Sequence, residues 1–212
     1  TSFASGLAPT SIASAARHLD AWPTNAIIEG LAFDLRLPFI GDWLSNYLAD
    51  NHRNRVLGTF DNLATLIPSK TPQFIFAHII SPHPPFLFGE QGETLKLTEG
   101  FTVADGVIAN KDPDYVPKYR AQAKFIAKKT IELVTSLLSK EPKPIIIIQG
   151  DHGPGSLLNW EEMSLAAYHE RYPILNAYYL PSQNYQGFYP AISPVNSFRV
   201  IFNSIFQTRF EI

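Results

Sequence analysis

The chain has 212 residues, of which 45% are apolar and 17% are charged, with a formal net charge of -2 at neutral pH and no cysteine. These values predict one folded domain over residues 1–212 and exclude an intrinsically disordered chain. The near-neutral charge gives no electrostatic footprint for nucleic acid, and the lack of cysteine excludes disulfides, thiolate zinc sites and a cysteine nucleophile. No apolar run in the sequence is long enough to span a membrane.

The first forty residues are rich in small side chains and carry three prolines, which predicts irregular structure. They contain a group of hydroxyl side chains: Thr10, Ser11 and Ser14. Because no strand is predicted before this group to aim a hydroxyl at a substrate, we interpret its members as loop-lining or capping residues.

A helical pattern begins at Asp42, and its apolar residues recur at spacings of four, three and four: Val56, Phe60, Leu63 and Ile67. The apolar segment 74–80 comes next and predicts a buried strand. Residues 87–115 are polar and lack a clear period, which predicts a surface loop with room for a short hairpin.

The second half of the chain alternates helices with strands. Helices are predicted over residues 117–139, 161–170 and 194–206, and strands over residues 145–148 and 174–180. The four isoleucines at 145–148 predict a strand that is buried on both faces, as inside a parallel sheet. The predicted fold class is therefore α/β, with a parallel or mixed sheet between helices.

The isoleucine strand runs into Gln149-Gly150-Asp151-His152-Gly153-Pro154, a tight turn that places a carboxylate beside an imidazole. Open α/β folds bind ligands at the carboxyl ends of their strands. Carboxylate oxygen and imidazole nitrogen together suit zinc, manganese or magnesium. Asp151 and His152 are therefore candidate metal ligands. The alternative is that Asp151 caps a helix and His152 is an ordinary loop residue.

The strand at 74–80 runs into Ser81-Pro82-His83-Pro84-Pro85-Phe86, where three prolines restrict the backbone around His83. A histidine held in this way is positioned to bind a metal or an anionic substrate group, and the alternative is a side chain that only faces water. His78 lies within the strand, and we interpret it as a structural histidine. Two strands that deliver imidazoles to one sheet edge predict that His83 meets Asp151 and His152 at one site.

Four segments, at residues 76–86, 149–154, 176–181 and 189–199, agree in order and spacing with one known family. They resemble the sulfatase-like hydrolase/transferase group of the alkaline phosphatase superfamily, which includes lipoteichoic acid synthases and phosphoethanolamine transferases. The similarity covers roughly Phe3 to Phe206. It implies an alkaline-phosphatase-like fold, a mixed and mostly parallel sheet between helices, incomplete here at its amino terminus.

By this resemblance, Asp151 and His152 ligate a divalent metal (Mn, Zn or Mg), and His83 contacts the phosphate or sulfate group or a second metal. The implied reaction is hydrolysis or transfer of a phosphoester or sulfoester that is lipid- or glycan-linked. The hydroxyl nucleophile is expected upstream of Thr1, so we expect little or no turnover from these 212 residues alone. The parent protein is expected to be anchored in the membrane, with this domain on the extracytoplasmic side.

Two other classes of function are compatible with the sequence. One is a non-catalytic module on the same fold that binds a cell-surface polymer through an aromatic platform: Tyr178, Tyr179, Tyr185, Phe188 and Tyr189. The other is a homo-oligomer that completes its sheet by pairing strand edges between subunits.

Overall fold

The computed structural model describes residues 2–4, 18–20, 40–97, 101, 112–159 and 161–212. Its strands are β1 (Ser2–Ala4), β2 (His18–Asp20), β3 (Phe76–His78), β4 (Ile146–Gln149) and β5 (Asn176–Tyr179). Its helices are α1 (Ile40–Ala64), α2 (Tyr115–Leu138), α3 (Leu165–Arg171) and α4 (Pro194–Phe206). The described part of the chain is therefore mixed α and β, as predicted, and none of its helices has the length and apolarity needed to cross a membrane.

The strands form two sheets. In the first, β1 lies between β2 and β3, and all three run parallel. In the second, β4 and β5 run antiparallel, with Ile146 opposite Tyr179 and Gln149 opposite Asn176. The catalytic candidate His83 and the candidate metal ligand Asp151 thus follow strands of different sheets, β3 and β4.

Short strands occur within the first forty residues, where irregular structure was predicted. Strand β1 comes before the three hydroxyl-bearing residues, Thr10, Ser11 and Ser14. The prediction that no strand precedes them was therefore wrong. The three hydroxyl residues themselves lie outside the described residues. Three-residue strands carry too little periodicity to be recognised from the sequence.

The isoleucine strand is neither buried on both faces nor part of a parallel pair. All four residues of β4 are half-buried, and Ile145 just before it is 41% exposed. Among the described residues between β4 and β5, the only regular element is the short helix α3. The chain re-enters the sheet at the end where β4 leaves it, so β5 runs antiparallel to β4. A run of β-branched residues favours a strand but does not specify its partner or its packing.

The main core lies between α1 and α2 and takes in the apolar residues of the loop after β3. It includes Leu44, Leu48, Val56, Phe60, Leu87, Phe88, Phe125 and Ile126. The helical period was correct for Val56, Phe60 and Leu63, which are all buried. It was wrong for Ile67, which is 81% exposed, because α1 ends at Ala64. Pro68 disfavours helical backbone at the residue before it, Ile67.

Other predicted boundaries shift by a few residues. Strand β3 is shorter than predicted, and Phe74 is 68% exposed rather than buried. Helix α3 starts later than predicted because Ser164 caps it, its side chain accepting a hydrogen bond from the Ala167 N–H at 3.2 Å. Helix α4 has the predicted bounds, with Ser193 as its cap and Pro194 as its first residue.

One buried side chain ties α2 to residues 80–88, which we call the histidine loop. The Gln122 Oε1 atom accepts hydrogen bonds from the N–H groups of Leu87 (2.7 Å) and Phe88 (3.1 Å). Its Nε2 atom donates to the His83 carbonyl at 3.1 Å. From the other side, Arg53 of α1 donates to the Leu87 carbonyl and stacks over the Phe88 ring at 4.5 Å. The backbone around His83 is therefore held between two helices.

We expect Gln122→Ala to lower the free energy of unfolding by about 2–4 kcal/mol, because three backbone groups of the histidine loop lose a buried partner. Gln122→Glu keeps the two acceptor contacts but places a buried carboxylate oxygen against the His83 carbonyl, so it is also expected to be destabilising. Urea denaturation measures both, with Gln186→Ala at an exposed position as the control. A loss for Gln122→Ala no larger than that of the control would contradict this role.

Candidate functional site

The imidazoles of His83 and His152 lie together, with ring centroids 6.3 Å apart and ring planes at 57°. His83 comes from the histidine loop, and His152 from residues 150–158, which we call the Asp-His loop. The two imidazoles therefore meet as the sequence predicts, although β3 and β4 do not share a sheet. Their roles stay predictions.

Both histidines place Nδ1 against the backbone carbonyl of the residue that follows them. The His152 Nδ1 atom lies 2.9 Å from the Gly153 oxygen, and His83 Nδ1 makes the same contact with Pro84. A carbonyl can only accept, so Nδ1 carries the hydrogen in each ring. In each ring Nε2 is therefore the nitrogen through which a metal would have to bind.

The Asp151 carboxylate lies beside His152 and faces solvent. Its side chain is 84% exposed, its Oδ1 atom accepts from the His152 N–H at 3.0 Å, and its Oδ2 atom lies 3.5 Å from His152 Nε2. The alternative that Asp151 caps a helix is wrong, because the next helix, α3, is capped by Ser164. The carboxylate is thus free of a capping role and adjacent to the imidazole nitrogen.

Asp151 and His152 are adjacent donors of types that metal sites use. In the part of the chain that the structure describes, no group of three or more His, Cys, Asp or Glu side chains converges on one point. The donor types nevertheless fit zinc or manganese, and the hydrogen bond to Gly153 fixes the tautomer that coordination through Nε2 requires.

The Asp-His loop is pinned on two sides. The Glu170 carboxylate of α3 accepts hydrogen bonds from the Ser156 hydroxyl and from the Leu157 N–H at 2.9 Å. The Tyr115 hydroxyl of α2 accepts from the Gly155 N–H at 3.1 Å. These contacts hold the loop in place independently of any ligand.

Arg171 at the end of α3 contacts His152 directly. Its Nη2 atom lies 3.2 Å from His152 Nε2, and its Nη1 atom donates to the Gly153 carbonyl at 3.2 Å. The Gly153 N–H in turn donates to the Arg171 carbonyl at 2.6 Å. The guanidinium group is therefore part of the site, and nothing in the sequence pattern singled it out.

Gly153 allows the Asp-His loop to pass close to α3. A Cβ atom at this position would lie 2.1 Å from the Glu170 carbonyl oxygen and 3.1 Å from that of Pro173, both of which are backbone atoms. At Gly150, by contrast, the nearest atom to an added Cβ would be 3.7 Å away, an ordinary contact.

We expect Gly153→Ala to displace the Asp-His loop and to lower the free energy of unfolding by about 1–3 kcal/mol, as overpacking does elsewhere. Gly150→Ala is the matched control and is expected to change stability by less than about 1 kcal/mol. Thermal unfolding of the two variants checks this difference, and equal melting temperatures would show that the loop has room to adjust.

His52 of α1 lies behind the histidine loop and is 3% exposed. Its Nε2 atom donates to the Ile80 carbonyl at 3.1 Å, and its Nδ1 atom is buried without a hydrogen-bond partner. Burial lowers the pKa of His52 to about 4, partly offset by the bond to Ile80 and reinforced by positive charge on Arg55 and His83. His52 is therefore neutral at physiological pH, and sequence reasoning gave it no role.

The depressed pKa of His52 predicts a pH-dependent stability. The unfolded state, with an ordinary histidine pKa near 6.5, binds a proton more readily than the folded state does, so stability falls as pH drops from 6.5 toward 4. We expect this group to make unfolding about 2 kcal/mol easier at pH 5 than at pH 7.5. Denaturant unfolding at both pH values measures the difference in the free energy of unfolding between them. That difference should be smaller in His52→Gln and unchanged in the exposed control His169→Gln.

His78 is exposed, and its ring stacks against Phe76 with centroids 6.4 Å apart. It does not point into the core, and its interpretation as a structural histidine stays a prediction. Phe76 is itself 40% exposed, because this face of β3 is not covered by other described residues.

Most of the predicted aromatic platform lines a groove of about 1030 Å³ between α3, β5 and the start of α4. Tyr178 packs on Phe188 with ring centroids 4.6 Å apart, and its hydroxyl bonds to Ser197, so its role is structural. The more exposed rings of the groove are those of Tyr168, Tyr172, Tyr185 and Tyr189. Tyr179 is not part of the lining.

Comparisons of the chain with protein-family models, with curated proteins and with solved structures found no match.

Proposed function

We propose that this chain is part of a metal-dependent phosphoester or sulfoester hydrolase or transferase with an alkaline-phosphatase-like fold. Asp151 and His152 hold the divalent metal, and His83 contacts the group that is transferred. The observation that carries this proposal is the approach of the His83 and His152 rings to 6.3 Å. The substrate is a phosphate or sulfate ester, lipid- or glycan-linked, and the parent protein is anchored at the extracytoplasmic side of a membrane.

The different surroundings of the two histidines support separate roles. His152 Nε2 lies 3.5 Å from Asp151 Oδ2, so a nitrogen and an oxygen donor could share one cation there once the Arg171 contact to Nε2 is displaced. When bound, such a cation neutralises charge on the non-bridging oxygens of the ester and lowers the pKa of an attacking hydroxyl. The nitrogen ligand favours zinc over magnesium.

His83 is suited to the leaving or transferring oxygen. Its Nδ1 hydrogen is committed to Pro84, so a proton exchanged with a substrate is carried on Nε2. A protonated His83 can donate from Nε2 to an ester oxygen and pass the proton to the leaving group. The Gln122 contact to the His83 carbonyl limits the movement of the loop during this step.

A second candidate is the polymer-binding module, and the aromatic groove is the observation that favours it. The groove is lined by aromatic, aliphatic and proline side chains with one asparagine, one serine and one histidine, and without Asp, Glu, Lys or Arg. Aromatic faces with hydroxyl groups suit a neutral polymer. This function requires no metal, so it survives the loss of Asp151 and His152.

Isothermal titration with Mn²⁺ and Zn²⁺ tests the metal site. We expect the wild type to bind the metal weakly, and Asp151→Ala and His152→Ala to bind it at least about tenfold more weakly still. Each substitution removes a direct ligand, and even the loss of a residue that only hydrogen-bonds to a ligand lowers metal affinity about tenfold or more. The exposed Asp61→Ala on α1 is the control and should bind as the wild type does. Indistinguishable binding by all four proteins would reject the metal site and leave the polymer-binding module as the better account.

A further inference from the structure

We infer that the aromatic groove binds a neutral glycan, whose sugar rings pack on its tyrosine rings and whose oxygens accept hydrogen bonds from its tyrosine hydroxyls. The groove has a volume of about 1030 Å³ and lies between α3, β5 and the start of α4. The inference rests on the polymer-binding candidate of the proposed function, and it deepens that candidate by naming the class of polymer and the side chains that recognise it. It requires no metal.

The side chains of the groove disfavour a charged ligand. Among the described residues that line it, none is Asp, Glu, Lys or Arg, and His169 is the only one that titrates near neutral pH. A charged ligand would lose part of its hydration here without gaining a partner of opposite sign, which is unfavourable. The ligand that fits the groove is therefore neutral, unlike the ester group itself.

Four tyrosine rings of the groove are partly open to a ligand. Tyr172 is 69% exposed, and Tyr168, Tyr185 and Tyr189 are each between 39% and 43% exposed. Tyr168 and Tyr172 stack with ring centroids 5.3 Å apart and ring planes at 21°, so the pair forms one continuous aromatic surface. The C–H face of a sugar ring can pack on such a surface while the sugar hydroxyls remain in contact with water and with polar groups.

Two of these tyrosines are held in place to donate a hydrogen bond. The Tyr185 hydroxyl oxygen accepts from the Leu180 N–H at 3.3 Å, and the Tyr189 hydroxyl oxygen accepts from Asn196 Nδ2 at 2.8 Å. Each contact fixes the oxygen and uses one of its lone pairs, and the hydroxyl hydrogen is the group that the tyrosine can give to a ligand. Sugar oxygens accept such bonds, whereas a hydrocarbon chain has no acceptor. The groove therefore favours a glycan over a lipid chain.

The groove is formed by the fold itself. Its lining includes Asn176 and Tyr178 of β5. Asn176 Oδ1 accepts a hydrogen bond from Gln149 Nε2 at 2.8 Å, and the Tyr178 hydroxyl bonds to Ser197. Ala191, which also lines the groove, has a φ of 59°, a left-handed backbone conformation that residues other than glycine seldom adopt. Backbone that its surroundings hold in this region is common at binding sites.

Helix α3 and the residues after it connect the groove with the Asp-His loop. Arg171 contacts His152, and the next residue, Tyr172, lines the groove. Pro173 also lines the groove, and its carbonyl oxygen lies 3.1 Å from the point that a Cβ atom of Gly153 would occupy. A glycan in the groove therefore lies beside the Asp-His loop, as a glycan-linked ester requires. This placement leaves every contact of Arg171 intact.

The test is an array of neutral and acidic oligosaccharides, followed by calorimetric titration of the neutral oligosaccharide that binds best. We expect binding of neutral oligosaccharides in preference to acidic ones. Tyr172→Ala should weaken binding about tenfold because it removes the most exposed ring, and Tyr189→Phe about threefold because it removes one donor. Tyr172→Phe keeps the ring and most of the affinity, which guards against a folding defect in the alanine variant. Tyr47→Ala, at a tyrosine of α1 that is 47% exposed, is the matched control and should bind as the wild type does.

The contrary outcomes separate this inference from the metal-dependent reaction. A folded wild type that binds no oligosaccharide, a preference for acidic oligosaccharides, or equal affinities of the wild type and Tyr172→Ala would each overturn it. Binding of a polyproline peptide and of no glycan would assign the groove to extended proline-rich peptides instead. Binding of Mn²⁺ without glycan would overturn this inference alone, whereas binding of glycan without Mn²⁺ or Zn²⁺ would support it and reject the metal site.

Discussion

The site depends above all on the buried amide of Gln122. The histidine loop has no regular structure over most of its length, so its backbone groups need partners from elsewhere in the chain. Gln122 satisfies three of them, and it does so from the middle of a long helix that is itself packed against α1. The position of His83 is therefore set by the main core, rather than by the strand that precedes it.

The Asp-His loop is positioned by a different part of the chain. Its contacts run to the short helix α3 through Glu170 and Arg171, and to α2 through Tyr115. Helix α2 thus touches both loops, with Tyr115 near one end and Gln122 two turns later. The ring centroids of His83 and His152 lie 6.3 Å apart, although the two loops follow strands of separate sheets, because one helix supports both loops.

Features that arise from interactions between neighbouring residues were predicted, and features that arise from contacts between distant residues were not. Helix α4 was predicted with its correct bounds because Ser193 and Pro194 mark its start locally. The pairing of β4 was missed because antiparallel return depends on the path of the chain through α3. Gln122 was missed because a glutamine on the buried face of a helix carries no signal of the loop that it will bind.

The sequence by itself determined the mixed α and β character of the chain, the buried period of α1 and the placement of His83 and His152 in the loops that follow strands, because these features follow from local periodicity and turn residues. Only the tertiary structure decided which strands pair, that the two imidazoles meet without a shared sheet, and that Arg171 lies on His152. Those features arise from contacts between residues far apart in the chain, and such contacts leave no local pattern to read.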